Sequence, residues 1–205
     1  AEILPEVKRL EIGTKLFNQM KRLTGPACEA DFAKTSLKML SDRLFDVKTE
    51  IFIVPDGIKT TTNLPGNIFL ANSNLVEDFE DPDVLAGYLV VEKLRSKNFD
   101  PIKEMLQNIG LISTFRLLTT GMINDETLID YADYLVTKPQ ETIQSSEIIE
   151  AFRNSELSLA PFAKAIDITG EQSLGLLEAE EIRSSTVRTS LPDANWVSLQ
   201  NICNK

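Results

Sequence analysis

The sequence predicts an α+β fold, mostly helical with a small β-sheet. Along most of the 205 residues, apolar side chains recur every three or four positions, which is the period of an amphipathic helix. Only the region between residues 47 and 72 carries short apolar runs bounded by Pro, Gly and Asn, as strands do. No repeat, low-complexity tract or flexible linker interrupts the pattern. We therefore expect one domain over residues 1–205.

The first half of the chain is predicted to supply the whole sheet. Its elements, in order, are a helix over 5–23, a helix over about 29–40, a strand over 47–54, a Thr-rich loop, a turn over 63–66, a strand over 67–72 and a helical turn at 75–76. The turn contains Pro65-Gly66, which ends one element and starts the next.

The helix predicted over 81–98 is the element around which the chain is organised. Asp81 fits the N-cap, Pro82 the first helical position and Asp83 the first turn, where the helix dipole favours a carboxylate. The remainder is predicted to be helical. These later helices cover 101–108, 111–118, 125–136, 141–153, 157–166, 174–182 and 193–203.

Composition excludes several classes of function. With 21 basic and 31 acidic residues, the chain carries a formal net charge of -10, which repels phosphate backbones and argues against nucleic-acid binding. No apolar run is long enough to span a bilayer. Because the chain has no histidine, it lacks the commonest zinc ligand and every Ser-His or Cys-His catalytic pair. We expect no metal and no cofactor.

The two cysteines, Cys28 and Cys203, lie near opposite ends of the chain. They could form one disulfide, which would indicate an oxidising compartment, or remain two separate buried thiols. The sequence begins at Ala1-Glu2 without Met, as a mature exported protein does, although a trimmed chain looks the same. We expect a periplasmic or otherwise exported protein, with a cytoplasmic one as the alternative.

Three separated stretches carry a resemblance to a known family. They are Leu64-Pro65-Gly66-Asn67-Ile68-Phe69-Leu70, then Asn74-Leu75-Val76 leading into Asp83-Val84-Leu85-Ala86-Gly87-Tyr88-Leu89, and Tyr131-Ala132-Asp133. In this order and rough spacing they resemble the gluzincin zinc metallopeptidases of the heat-shock membrane protease and CAAX-prenyl endopeptidase group, especially its soluble periplasmic relatives. The resemblance covers about residues 45–135 and implies a metallopeptidase-like fold, with the helical part over 140–205 matching less clearly.

The resemblance also implies that the zinc site has been lost. Val91 and Arg95 stand where the family has its two histidine ligands, and Tyr131 replaces the ligand Glu. Glu92, the family's general base, and Asp133 remain. Zinc in such a site needs three N, S or O ligands from the protein, so we expect these five positions to form a vestigial site without metal.

Arg95 at a ligand position suggests that a side chain has replaced the metal ion. Glu92 and Arg95 are three apart on a helix and can pair. We expect the Arg95 guanidinium to bridge Glu92, and Asp133 if that helix packs nearby. The alternative is that Glu92, Lys93 and Arg95 form a solvated polar face.

The peptide groove could persist without the metal. In the family, an edge strand binds an extended substrate, and the resemblance assigns that role to Asn67, Ile68, Phe69, Leu70, Ala71 and Asn72; strand addition needs only backbone groups. The leading hypothesis is a catalytically inactive homologue that binds an unknown protein or peptide in the cell envelope. Two alternatives remain: a metal-independent hydrolase using Glu92 with Asp133 and Tyr131, and a purely structural subunit of an envelope complex.

Overall fold

The computed structural model describes residues 4–167, 169, 173–181 and 187–204. Within these residues the chain is mostly helical around one small sheet, as the sequence predicts. The helices are α1 (Glu6–Thr24), α2 (Asp31–Leu44), α3 (Asn74–Glu77), α4 (Pro82–Asn98), α5 (Pro101–Asn108), α6 (Gly110–Thr120), α7 (Asp125–Thr137), α8 (Ser145–Asn154), α9 (Ala160–Ile166), α10 (Leu174–Glu181) and α11 (Asp193–Gln200). The strands are β1 (Glu50–Val54), β2 (Thr61–Leu64) and β3 (Ile68–Asn72).

Most predicted helices are found within a few residues of their expected bounds. The largest differences are of four residues: α2 ends at Leu44 rather than Leu40, and α8 begins at Ser145 rather than Glu141. The last residue of the helix predicted over 174–182, Ile182, lies outside the described residues.

The three strands form one sheet in the order β1-β3-β2. β1 runs parallel to β3, and β2 is antiparallel to it. The Thr-rich segment predicted to be a loop is thus partly a strand, which suits its β-branched threonines. β2 and β3 are joined by a tight turn in which Gly66 and Asn67 both have positive φ, at 81° and 59°, a conformation that Gly and Asn tolerate best.

β3 is the central strand, so the prediction that residues 67–72 form a peptide-binding edge is wrong. Glu50 to Val54 pair with Ile68 to Asn72 on one side, and β2 pairs on the other. All five residues of β3 are buried. Its backbone groups are therefore used within the sheet, and β2 is the strand that borders the outside on this side.

The sheet separates two apolar cores. Alternate residues of β3 point to opposite faces: Phe69 and Ala71 join a core with α2, α4 and α8–α11, whereas Ile68 and Leu70 join a core with α1 and α5–α7. Val91 belongs to the first core and Tyr131 to the second. This division decides which of the predicted site residues can meet.

Cys28 and Cys203 are joined in a disulfide, with their Cα atoms 4.8 Å apart. The bond ties the segment that follows α1 to the segment that follows α11, across 175 residues of sequence. Cys28 also donates its backbone N–H to Ile53 O at 2.8 Å, which places the disulfide beside β1. None of the described helices combines the length and apolarity needed to span a bilayer.

Candidate functional site

Helix α4 begins as its sequence predicts. The Asp81 carboxylate accepts a hydrogen bond from the Asp83 backbone N–H at 2.9 Å, and Pro82 occupies the first helical position. The helix then crosses one face of the sheet, so that most of its residues from Asp83 to Glu92 are buried. This passage brings Glu92 beside β2.

Glu92 is a buried carboxylate whose two oxygens both accept hydrogen bonds. Only 3% of the residue is exposed. Its Oε2 accepts from Arg95 Nη1 at 2.8 Å and from Thr61 Oγ1 at 3.0 Å, and its Oε1 accepts from Asn63 Nδ2 at 2.6 Å. Thr61 and Asn63 reach the same carboxylate because residues two apart on a strand share a face. Three donors, one of them cationic, offset the cost of burying the charge.

Arg95 makes one of the two contacts predicted for it. Its guanidinium pairs with Glu92, and its Nε donates to the backbone carbonyl of Glu141 at 3.0 Å. The side chain is 17% exposed, so the solvated polar face is not what forms at this position. The predicted bridge to Asp133 is wrong: Asp133 pairs with Arg22 of α1 at 2.9 Å, on the exposed surface.

Tyr131 is also absent from the Glu92 cluster. It is buried in the core on the other face of the sheet and stacks on Tyr134, with ring centroids 5.7 Å apart. Burial raises the pKa of the Tyr131 hydroxyl above its usual range. The structure therefore separates Tyr131 and Asp133 from Glu92, and the predicted five-residue site reduces to Val91, Glu92 and Arg95.

These residues do not fit a zinc ion. Val91 offers no donor atom and packs into the apolar core, while Arg95 directs a cation at the carboxylate that would neighbour the metal. In the part of the chain that the structure describes, no group of three His, Cys, Asp or Glu side chains could hold a metal ion. The Arg95 guanidinium is the positive charge that Glu92 meets at this position.

A groove runs along the outer edge of β2. Thr60 O accepts from Asn72 N at 2.7 Å and Thr62 pairs with Leu70, so the alternating backbone of Thr61 and Asn63 points away from β3. The groove is small, with a cavity volume of about 50 Å³. It is lined by Ile58, Lys59, Thr61, Thr62, Asn63, Glu92, Arg95, Phe99, Glu104, Leu135, Val136, Lys138, Gln140 and Glu141.

Residues 138–144, which we call the strap, cross this groove without forming a helix or strand. Gln140 Nε2 donates to the backbone carbonyl of Thr61 at 2.8 Å, and the Glu141 carbonyl accepts from Arg95. At the start of the strap, Lys138 forms an ion pair with Glu104 of α5. The strap thus already occupies one backbone acceptor on the β2 edge, the carbonyl of Thr61.

Sequence reasoning missed Thr61, Asn63 and Gln140. The first two could have been found from their two-residue spacing just before Pro65-Gly66, which is the spacing of a strand that faces a neighbouring helix. No local signal marks Gln140, because its partner Thr61 lies 79 residues earlier in the sequence.

No protein-family model matches the chain, and no curated protein sequence matches it either.

Proposed function

We propose that this protein is a catalytically inactive, metallopeptidase-like protein that binds an extended segment of a protein or peptide partner along the edge of β2. The observation that carries the proposal is the juxtaposition of Glu92 and β2. The side chains of Thr61 and Asn63 hold the carboxylate, while their backbone groups face the groove. The strand edge that would bind the partner thus lies beside a carboxylate whose oxygens already accept hydrogen bonds from the protein itself.

The surroundings of Glu92 support the loss of catalysis. A general base must approach the proton that it removes, directly or through one water. Both oxygens of Glu92 already accept hydrogen bonds, and the Arg95 guanidinium lies against one of them. The zinc ligands that the resemblance calls for are absent from positions 91 and 95.

The strap supports the binding of an extended chain. Gln140 satisfies the Thr61 carbonyl with an amide N–H, the same kind of donor that a peptide backbone supplies. Strand addition gives affinity through such main-chain hydrogen bonds. We infer that a partner segment pairs with Asn63 and replaces Gln140 at Thr61, so that the strap competes with the partner.

The disulfide supports an exported setting in the cell envelope, because such bonds persist in oxidising compartments. The partner in this proposal is a protein that presents an extended segment in that compartment.

A displayed library of random peptides, selected on the Gln140→Ala variant, tests the proposal. The selected peptides should bind this variant about fivefold more tightly than the wild type, because one competing hydrogen bond is removed. The matched control is Gln107→Ala, which changes an exposed glutamine on α5 and should leave affinity unchanged. N-methylation of alternate peptide bonds should weaken binding about tenfold with a period of two.

Three results would contradict the proposal. If no peptide is selected, or if N-methylation has no periodic effect, the β2 edge is not the binding site. If mass spectrometry finds the selected peptides cleaved, and Glu92→Gln abolishes that cleavage, the metal-independent hydrolase replaces the inactive homologue.

A further inference from the structure

Helix α6 presents its large apolar side chains to the outside. Leu111, Ile112 and Phe115 are 89%, 87% and 71% exposed, and Leu118 and the nearby Met122 are about half exposed. Of the apolar residues in the helix, only Leu117 is buried. An ordinary surface helix turns its apolar face toward the core. Helix α6 instead turns most of its large apolar side chains away from the core.

The inward side of α6 is held by small polar residues. Thr114 Oγ1 donates to the Leu106 carbonyl of α5 at 2.9 Å, and Ser113 shares a hydrogen bond with Thr127 of α7 at 3.2 Å. At about 100° per residue, the exposed apolar residues span an arc of about 120° on the side opposite Leu117. We call this arc the α6 ridge, defined by Leu111, Ile112, Phe115, Leu118 and Met122.

The α6 ridge is nearly free of charge in an acidic protein. Residues 105–124 contain no Asp or Glu and one Arg, Arg116, whereas the whole chain carries a net charge of -10. Helices that lie in the surface of a bilayer bury Phe and Leu side chains at the boundary between headgroups and acyl chains, and the α6 ridge exposes side chains of this kind. The absence of carboxylates from this segment removes the groups that resist such insertion.

The size and shape of the ridge favour a lipid surface over a protein partner. Stable protein interfaces use about 20–30 residues a side and about 800 Å² per partner, whereas α6 is one helix of 11 residues, about 16 Å long. Two copies with a charge of -10 each would also repel one another. The ridge is convex, so it offers no groove to a peptide.

We propose that the α6 ridge docks the protein on the surface of a lipid bilayer, with its apolar side chains inserted at the boundary between headgroups and acyl chains. This inference is independent of the β2 groove and goes beyond the proposed function. The apolar contact supplies the affinity, because the overall negative charge opposes anionic lipids. The favoured surface is therefore zwitterionic.

Flotation of the full chain with phosphatidylcholine vesicles tests the proposal. The wild type should float with the vesicles, and Leu111→Ser/Phe115→Ser should weaken partitioning about tenfold or more, because two large side chains are lost. The matched control is Phe32→Ser/Val197→Ser, which removes two apolar side chains of 57% and 54% exposure from α2 and α11. The control should float like the wild type.

A fluorescent probe checks the contact directly. The only tryptophan, Trp196, is buried, so Phe115→Trp adds a second indole at the ridge. Its emission should shift to the blue on addition of vesicles and be quenched by brominated lipids. Phosphatidylglycerol in the vesicles should not strengthen binding.

Each of four results would overturn the proposal. In the first, the wild type fails to float, and in the second, the control variant is as impaired as the ridge variant. In the third, binding requires anionic lipid, which would indicate a basic site elsewhere. In the fourth, the wild type is a dimer that Leu111→Ser/Phe115→Ser dissociates, so that the occupant of the ridge is a second copy.

Discussion

The Arg95 guanidinium lies 2.8 Å from Glu92 Oε2, one helical turn away, at a point where Glu92 is almost fully buried. Arg95 thus acts as the counterion of Glu92 within the same turn of α4. It also explains how a carboxylate persists in the core without a metal, since an unpaired buried charge would be costly. The stability of the site should therefore depend on Arg95 more than on Glu92.

Replacing Arg95 by Met should destabilise the protein by about 3 kcal/mol, because Glu92 keeps only its two neutral donors, Thr61 and Asn63. Urea unfolding at pH 7 measures the change. The double variant Glu92→Gln/Arg95→Met should recover at least half of the loss. Lys38→Met, which breaks the exposed pair with Asp42, is the control and should cost less than about 0.5 kcal/mol. Equal losses at Arg95 and Lys38 would argue against a buried ion pair.

Gly87 is a position at which α4 packs closely against the helices that cover it. A Cβ at this position would lie 2.8 Å from Phe162 Cβ and 2.9 Å from Phe152 Cζ. Gly87→Ala should therefore cost about 2 kcal/mol by overpacking, even though alanine is the better helix former. Gly175→Ala in α10 is the matched control, because among the described residues no atom beyond its own stretch of helix lies within 4 Å of the added Cβ. Thermal unfolding of both variants measures the difference; a neutral or stabilising Gly87→Ala would contradict the close packing.

The disulfide should contribute about 3–5 kcal/mol, because it restricts an unfolded chain over a loop of 175 residues. We expect Cys28→Ser/Cys203→Ser to unfold at a lower urea concentration than the oxidised wild type. A reducing agent should shift the wild type to the same midpoint and leave the variant unchanged. If the reducing agent has no effect on the wild type, the two thiols are not joined.

Asp100 links the start of α5 to α1 in a way that depends on pH. Both of its carboxylate oxygens accept from Arg9 at 2.8 Å, and Oδ1 also caps α5 by accepting from Ile102 N at 2.9 Å. The hydrogen bonds from Arg9 hold the pKa of Asp100 below its usual value. Its contribution to stability is therefore complete above the unfolded-state pKa of about 4 and is lost as the pH falls through the lower pKa of the folded state.

Asp100→Asn should test this contribution, because asparagine keeps the helix cap but loses the ion pair. We expect a loss of about 1 kcal/mol at pH 7, reduced by the partial exposure of the pair. The difference from the wild type in free energy of unfolding should close as the pH is lowered toward 2. A difference that is the same at pH 7 and at low pH would mean that the cap, and not the charge, is responsible.

The sequence predicted what depends on neighbours along the chain. The start of α4 follows from Asp81 and Pro82, because a cap involves residues two apart. The Glu92–Arg95 pair follows from their spacing of three on one helix. The positions of most helices and the small size of the sheet follow from apolar periodicity in the same way.

Only the tertiary structure decided how distant segments pair. β3 became the central strand because β2, a four-residue segment with weak apolar alternation, pairs on its other side. Tyr131 was separated from Glu92 because the sheet stands between the two cores. Gln140 met Thr61 across 79 residues of sequence. Such contacts depend on the packing of whole elements, which local periodicity does not encode. The β2 groove and its strap could therefore be identified only in the tertiary structure.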